Sequence, residues 1–193
     1  MERIGIVLAS VREGRRGEPF AKWIHALTAA REDVAAELVD LRDWPFGAYA
    51  HKQPPVASEA GYAPDSLEGR WAALVRGLDA FVIVSPEYNH GYPGQLKNAL
   101  DALYTAWSYK PVAFVTYGGG ANGARAAEQL AAVAIELRMV PLRDQVNVRL
   151  IGLATDERGA PSEEFYAKRA RALLDELAWF SRVLREARAA RTK

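Results

Sequence analysis

The sequence contains no cysteine, which removes disulfides, thiolate-ligated metals and iron–sulfur clusters from consideration. Histidine is scarce: His25, His51 and His90 are the only three, they show no metal-ligand spacing, and no H-E-x-x-H occurs. Neither sign of charge dominates. With 25 basic and 24 acidic side chains the formal net charge is +1, so no global field draws in nucleic acid or an acidic surface. No uninterrupted apolar run approaches the length that crosses a bilayer, and the apolar start at Ile4 meets Arg12 too soon for a secretory signal peptide. A G-x-S-x-G nucleophile elbow and the Gly-Lys-Ser/Thr of a Walker A loop are both absent. So are fixed-period repeats, low-complexity tracts and interdomain linkers. What remains is a chain of 193 residues, 50% hydrophobic and 25% charged, enough for a single domain over 1–193 with a sizeable core. The expectation is a cytoplasmic protein that engages neither membrane nor nucleic acid.

Hydrophobic patterning supplies the fold class. Residues 4–9, 36–41, 81–84 and 112–117 are apolar runs that read as strands, most of them without alternation, as in a parallel sheet covered on both faces. A fifth strand is expected within 139–148, bent at Pro141. Between the strands come helical patterns: Phe20, Trp23, Ile24 and Leu27; Leu67, Trp71, Leu74, Val75 and Leu78; Leu96, Ala99, Leu100 and Leu103; an alanine-rich stretch to about Leu137; and a last helix over 163–190. Pro93 is placed at the first position of the third helix, where its missing N–H costs nothing. Strand–helix alternation repeated five times predicts an α/β, flavodoxin-like three-layer sandwich with a five-stranded parallel sheet of order 2-1-3-4-5. Residues 43–65 lack a period and read as a long ordered loop near a ligand or a partner subunit. Trp23, Trp44, Trp71, Trp107 and Trp179 read as core or interface anchors, and Arg182, Arg185, Arg188, Arg191 and Lys193 as a solvated helix face and tail.

In such a sheet, ligands bind beyond the carboxyl ends of the strands. The loop after strand one carries Ser10, Arg12, Arg15, Arg16 and Glu18 with Gly14 and Gly17. It suits a phosphate, because glycines admit backbone N–H groups, guanidinium grips phosphate oxygens, and a helix N-terminus follows. An ordinary βα turn with solvated arginines is the alternative. The loop after strand three, 86–92, offers backbone N–H groups, Tyr88, and the paired donor and acceptor of Asn89 to a heteroaromatic ring, or is a structural turn packed on a neighbouring subunit. His90 has no nucleophile or carboxylate of known geometry beside it and is assigned no catalytic role. The loop after strand four places Tyr117, Gly118 and Gly119 at the same cavity. Gly118, Gly120 and Gly123, with Asp144 downstream, match a dinucleotide fingerprint, but in the fourth βα unit rather than the first.

Three segments together resemble a known family. Ser85-Pro86-Glu87-Tyr88-Asn89, then Pro93-Gly94 and Leu96-Lys97-Asn98-Ala99-x-Asp101, are similar to the signature of the NAD(P)H-dependent FMN reductases, which include flavin, quinone, azo and chromate reductases. Ser10-x-Arg12-x-Gly14-Arg15-x-Gly17 before Ala21-x-Trp23, and residues 110–119, agree in order and spacing, so that the resemblance runs from Ile4 to about Val148. It implies bound FMN, with the phosphate against Ser10, Arg12, Arg15, Gly17 and Glu18. The flavin ring would lie against Pro86, Glu87, Tyr88 and Asn89 on one side and Tyr117, Gly118 and Gly119 on another. It further implies NADPH or NADH as donor and a small acceptor such as a quinone, free flavin, azo compound or metal oxyanion. A homodimer or homotetramer is implied too, with the third helix and the aromatic loops at the boundary. No side chain is assigned a catalytic role, because the cofactor carries the chemistry. Two other readings stay open: an FMN-binding electron carrier or sensor, although such carriers tend to be acidic, and a dinucleotide-binding dehydrogenase using the loop at Gly118.

Overall fold

The computed structural model describes residues 1–191. Its strands and helices alternate as β1 (Glu2–Leu8), α1 (Gly17–Ala29), β2 (Val34–Asp40), a short α2 (Pro55–Ser58), α3 (Leu67–Gly77), β3 (Ala80–Pro86), α4 (Gly94–Asp101), β4 (Pro111–Gly118), α5 (Ala124–Glu136), β5 (Val140–Pro141), β6 (Val146–Arg149) and α6 (Glu164–Arg191). The sheet is parallel, in the order β2-β1-β3-β4-β5, as the winding predicts. Every residue of β3 and of β4 is buried. That is why these two strands read as continuous apolar runs: helices cover both faces. One face packs Trp71, Trp107, Phe81 and Phe114 with α3, α4 and α5, and the other packs Ile6, Leu8, Val82, Val115, Phe20 and Leu173 with α1 and α6.

The fifth strand differs from the expected continuous element. It is two pieces on the same neighbour: Val140 and Pro141 pair with Pro111 and Val112, the chain leaves over residues 142–145, and Val146–Arg149 returns beside Val115 to Gly118. Pro141 brings no N–H to a ladder, and Arg143, Asp144 and Gln145 gain nothing from burial. The third helix is also corrected. Pro93 is its extended N-cap (φ −62°, ψ 140°) rather than its first helical residue, and the helix spans only 8 residues.

The 43–65 segment is ordered by its own anchors. Trp44 packs tilted and Phe46 edge-on against Trp71, with ring centroids 4.9 and 5.8 Å apart. Glu59 is buried, and its carboxylate accepts the backbone N–H groups of Tyr104, Thr105 and Ala106 at 2.7–3.0 Å while pairing with Arg76 at 2.9 Å. Among the tryptophans, Trp71 and Trp107 are core, whereas Trp179 is half exposed. The arginines of α6 are not simply solvated. Arg185 pairs with Glu2, Arg188 with Asp79 at 2.9 Å and with the Tyr109 carbonyl, and Arg191 lies over the Tyr109 ring. Lys193 lies outside the described residues.

At the opposite end of the sheet from the loops of interest, Lys110 is 5% exposed, and its Nζ donates to the Val75 and Arg76 carbonyls that end α3, at 2.5 and 3.3 Å. Burial, reinforced by Arg188, pushes this ammonium down to about 7. The unfolded lysine holds its proton to about pH 10.4. Between pH 7 and 10 the unfolded chain therefore binds more protons, and stability rises with pH. Below pH 7 both states are protonated and the slope vanishes. The difference in unfolding free energy between the wild type and Lys110→Met is expected to change by up to about 1.4 kcal/mol per pH unit across this window. Urea titrations at pH 7, 8 and 9 giving a pH-independent difference would refute it.

Candidate functional site

The strand ends that carry the three loops are in register, Leu8 beside Val84 and Pro86 beside Tyr117. The crest is therefore one continuous edge. The loop after β1 turns at Gly14 (φ +64°) and enters α1 at Gly17. Arg16, the N-cap of α1, makes no side-chain cap, so the first-turn N–H groups stay available to an anion. Gly17 is required by contact: a Cβ there would stand 2.5 Å from the Tyr117 hydroxyl.

Side chains tie this loop to the next strands. Ser10 is fully buried, and its Oγ lies 2.9 Å from the Tyr88 hydroxyl. Arg15 is buried and points inward. It donates to both carboxylate oxygens of Asp40, to the Ser10 carbonyl at 3.0 Å and to Glu18 at 3.4 Å. Its Nε is buried without a partner. Burial opposes the charge on Asp40, but Arg15 and the Arg42 N–H outweigh it and hold the carboxyl below its ordinary range. Glu18 is likewise lowered, by Lys22 first and then by Arg15. Arg42 holds the loop backbone from outside, donating to the carbonyls of Val11 (3.3 Å) and Arg12 (2.6 Å). Arg12 itself is exposed, and among the described residues its guanidinium makes no hydrogen bond or ion pair.

The loop after β3 is a two-residue turn. Tyr88 and Gly91 exchange backbone bonds of 2.8 and 3.0 Å, with Asn89 (φ 50°) and His90 (φ 72°) in the left-handed region, a conformation that favours asparagine at the first position. It is pinned to α5: Arg125 donates to Glu87 at 2.6 Å and reaches His90 Nε2 at 2.8 Å, and Gln129 donates to the His90 carbonyl. Arginine can only donate, so His90 Nε2 is the acceptor and its proton sits on Nδ1. That makes the ring a brace rather than an acid at that nitrogen. The Glu87 side chain is turned toward α5, and Oε2 is left buried and unpartnered.

The loop after β4 meets the second one closely. Glu87 N–H donates to the Tyr117 carbonyl at 2.8 Å, and a Cβ on Gly118 would lie 3.3 Å from that of Glu87 and 3.0 Å from the Gly123 nitrogen. Gly123 sits at φ +88° against Tyr117 and Thr116. Packing thus accounts for Gly118 and Gly123, two glycines of the fingerprint spacing. The N–H groups of Asn89, Gly119 and Gly120 have no acceptor among the described residues. They line one stretch of the crest.

The structure brings Ser10, Arg12, Gly17, Tyr88, Asn89, Gly118 and Gly119 to one edge, and Pro86 ends β3 directly beneath it. Three expectations change. Arg15 is an internal strut, Glu87 presents its backbone rather than its carboxylate, and Tyr117 turns toward the loop after β1. The sequence pattern did not single out Asp40, Arg42 and Arg125. Asp40 ends β2 and Arg42 follows it, and the 2-1-3 order places that strand end beside the first loop. A separate cleft of about 270 Å³, lined by Phe46, Tyr49, His51, Glu68 and Asn98 among others, shares no residue with the three loops.

Residues 2–151 match the family described as NADPH-dependent FMN reductase. An NAD(P)H-dependent FMN reductase of Schizosaccharomyces pombe is 36% identical over 141 residues, 72% of this chain and 70% of that one. A quinone reductase of Pseudomonas putida is 31% identical over 125 residues, 62% of each. The fold is shared with FerB, a flavoenzyme NAD(P)H:(acceptor) oxidoreductase from Paracoccus denitrificans, at a TM-score of 0.73 and 20% identity, covering 94% of this chain and 98% of that one.

Proposed function

Because this chain belongs to the NADPH-dependent FMN reductase family, we propose that it binds FMN along the crest and passes hydride from NADPH or NADH to a small acceptor. Of the acceptors considered, a quinone is favoured by the name of the Pseudomonas relative, with free flavin, azo compounds and metal oxyanions as further candidates. The observation that carries the assignment is the convergence of the three loops, fastened by the Ser10–Tyr88 contact at 2.9 Å and the Glu87–Tyr117 bond at 2.8 Å.

The residues fit the cofactor at both ends. An uncapped helix N-terminus, the unengaged Arg12 guanidinium and the unpartnered Tyr117 hydroxyl suit a phosphate. Bare backbone at Asn89, Gly119 and Gly120 suits the polar edge of a flat ring. FMN, when bound, supplies hydride acceptance and donation. The protein's share is placement and electrostatics. Free N–H groups on the crest, held by the ends of β3 and β4, would stabilise negative charge on a bound ring without reorganisation. Tyr88 lies across the mouth between the first two loops. It is 39% exposed, at the side of the space in which a nicotinamide and then an acceptor would stack in turn on the exposed flavin face. A cytoplasmic homodimer or homotetramer completes the proposal; no helix among the described residues is long and apolar enough to cross a membrane.

The chain loaded with FMN under anaerobic conditions is expected to lose its visible flavin absorption on addition of NADPH or NADH and to regain it on addition of a quinone. Absorption unchanged by either nicotinamide would overturn the assignment.

A further inference from the structure

Helix α6 has two faces, and the fold accounts for one of them. Ala170, Leu173, Leu174, Leu177 and Ala178 are buried in the core. On the outer side Phe165, Ala172, Trp179, Val183 and Ala190 stand in line, with Phe165, Trp179 and Val183 60%, 51% and 41% exposed. Together with Arg169, Glu176 and Glu186 they follow one another at alternating steps of four and three, from 165 to 190. That spacing is a coiled-coil seam, which a helix covers by meeting another helix. The seam lies beyond residues 2–151, the part that matches the family. Charges on and off the seam differ. Off it, Arg171 pairs with Glu164, Asp175 with Arg31, and Arg185 with Glu2 at 2.9 Å. On it, Glu176 and Glu186 make no ion pair among the described residues. Arg169 donates from Nε and Nη2 to the Gln145 carbonyl at 3.2 and 2.9 Å, and its Nη1 makes no hydrogen bond among the described residues.

We infer that this outer face of α6 is the docking surface for a second copy of the chain, the two α6 helices packing antiparallel about a two-fold axis. It is a surface distinct from the third predicted helix and the aromatic loops. With the axis between residues 177 and 178, Arg169 meets Glu186 of the second copy, Ala172 meets Val183, Glu176 meets Trp179, and Phe165 meets Ala190. Each pairing occurs twice, as in any isologous interface. The charges select this register. A shift of one heptad in one direction sets Glu186 against Glu176, and in the other carries it past the start of α6 at Glu164, where it has no partner. A parallel pair would set each of the three charges against its own like. The helix has 28 residues, about 42 Å of contact length. The two glutamates within the seam disfavour an anionic membrane as the occupant.

Sedimentation equilibrium and disulfide trapping of the full chain test the pairing, the second on a background that has no cysteine. Trp179→Ala is expected to keep the far-UV spectrum of the wild type and to weaken association at least about tenfold, the scale of a tryptophan anchor, so that the measured mass falls by half. Residue 176 faces its own copy beside the axis, so Glu176→Cys is expected to form a disulfide-linked dimer on mild oxidation. Arg182→Cys, exposed but off the seam and more than a turn from the axis, is expected to stay unlinked. A monomeric wild type overturns the inference together with the homo-oligomer proposed above. An oligomer that keeps its mass in Trp179→Ala, or that links Glu176→Cys no better than Arg182→Cys, overturns the α6 pairing alone. So does a wild type that pellets with phosphatidylglycerol vesicles while Trp179→Ala does not, which gives the seam to a membrane. None of these outcomes bears on the flavin absorption test.

Discussion

Replacing Glu59 with alanine is expected to destabilise the fold by about 3–5 kcal/mol, the cost of removing one partner from a buried charged cluster. The carboxylate is the sole acceptor that three consecutive backbone N–H groups, those of Tyr104, Thr105 and Ala106, find among the described residues. Its loss leaves these donors stranded, and it frees Arg76 as well. Burial works against the charged form, but the backbone donors and Arg76 prevail and lower the carboxyl's pKa. A depressed carboxyl stabilises the fold above the unfolded pKa of about 4.3 and loses that contribution as pH falls through the folded value. The wild type should therefore lose part of its advantage over Glu59→Ala in acid. Glu59→Gln keeps one acceptor oxygen and should fall between the two. Urea unfolding of the three proteins at neutral pH is the check, and a loss below about 1 kcal/mol would show that water or a shifted loop replaces the carboxylate.

Arg15 and Arg12 should separate sharply, although both lie in the same loop. Arg15→Ala removes the guanidinium from Asp40 and lets go of the Ser10 carbonyl. With Asp40 a quarter exposed, the expected loss is about 2–3 kcal/mol of stability, less than for a fully buried pair. FMN affinity should fall too, because the loop that carries Ser10 loses its internal strut. Arg12→Ala should leave the melting temperature alone and weaken FMN binding by about 1.5–3 kcal/mol, as for a hydrogen bond to a charged group. Thermal melts of the flavin-free proteins paired with flavin titrations decide it. Equal melting temperatures for the two variants, or wild-type affinity in Arg12→Ala, would reverse the roles of the two arginines.

This contrast also marks what could be read from the sequence. The strand-and-helix order was legible because β3 and β4 are buried throughout and largely apolar and the helices keep a clear period. The three-loop crest followed from that order alone. What stayed hidden was which way each side chain turns. Arg12 and Arg15 look alike in a string of letters, and Asp40, which decides between them, is 25 residues from Arg15. Tyr117 was expected at this edge, but its turn toward the loop after β1 went unread. In a strand, successive side chains alternate faces, and its neighbour Val115 belongs to the α1 side of the core; counting by twos would have pointed the ring toward Gly17. Glu59 gave no signal because its partners are 45 to 47 residues downstream. The left-handed turn at Asn89 and His90 was within reach, since asparagine is a favoured residue for that geometry.

The interrupted fifth strand has a consequence for how copies of this chain meet. A long, regular outer strand is a template on which another chain can build, and parallel sheets with such a border are prone to add strands from neighbours. Here the border is broken after two residues, the second of them a proline, and carries Arg143 and Asp144 in the gap. An incoming strand would find neither a continuous row of donors and acceptors nor a dry surface, so this side of the molecule is built to stay unextended even when the protein is crowded.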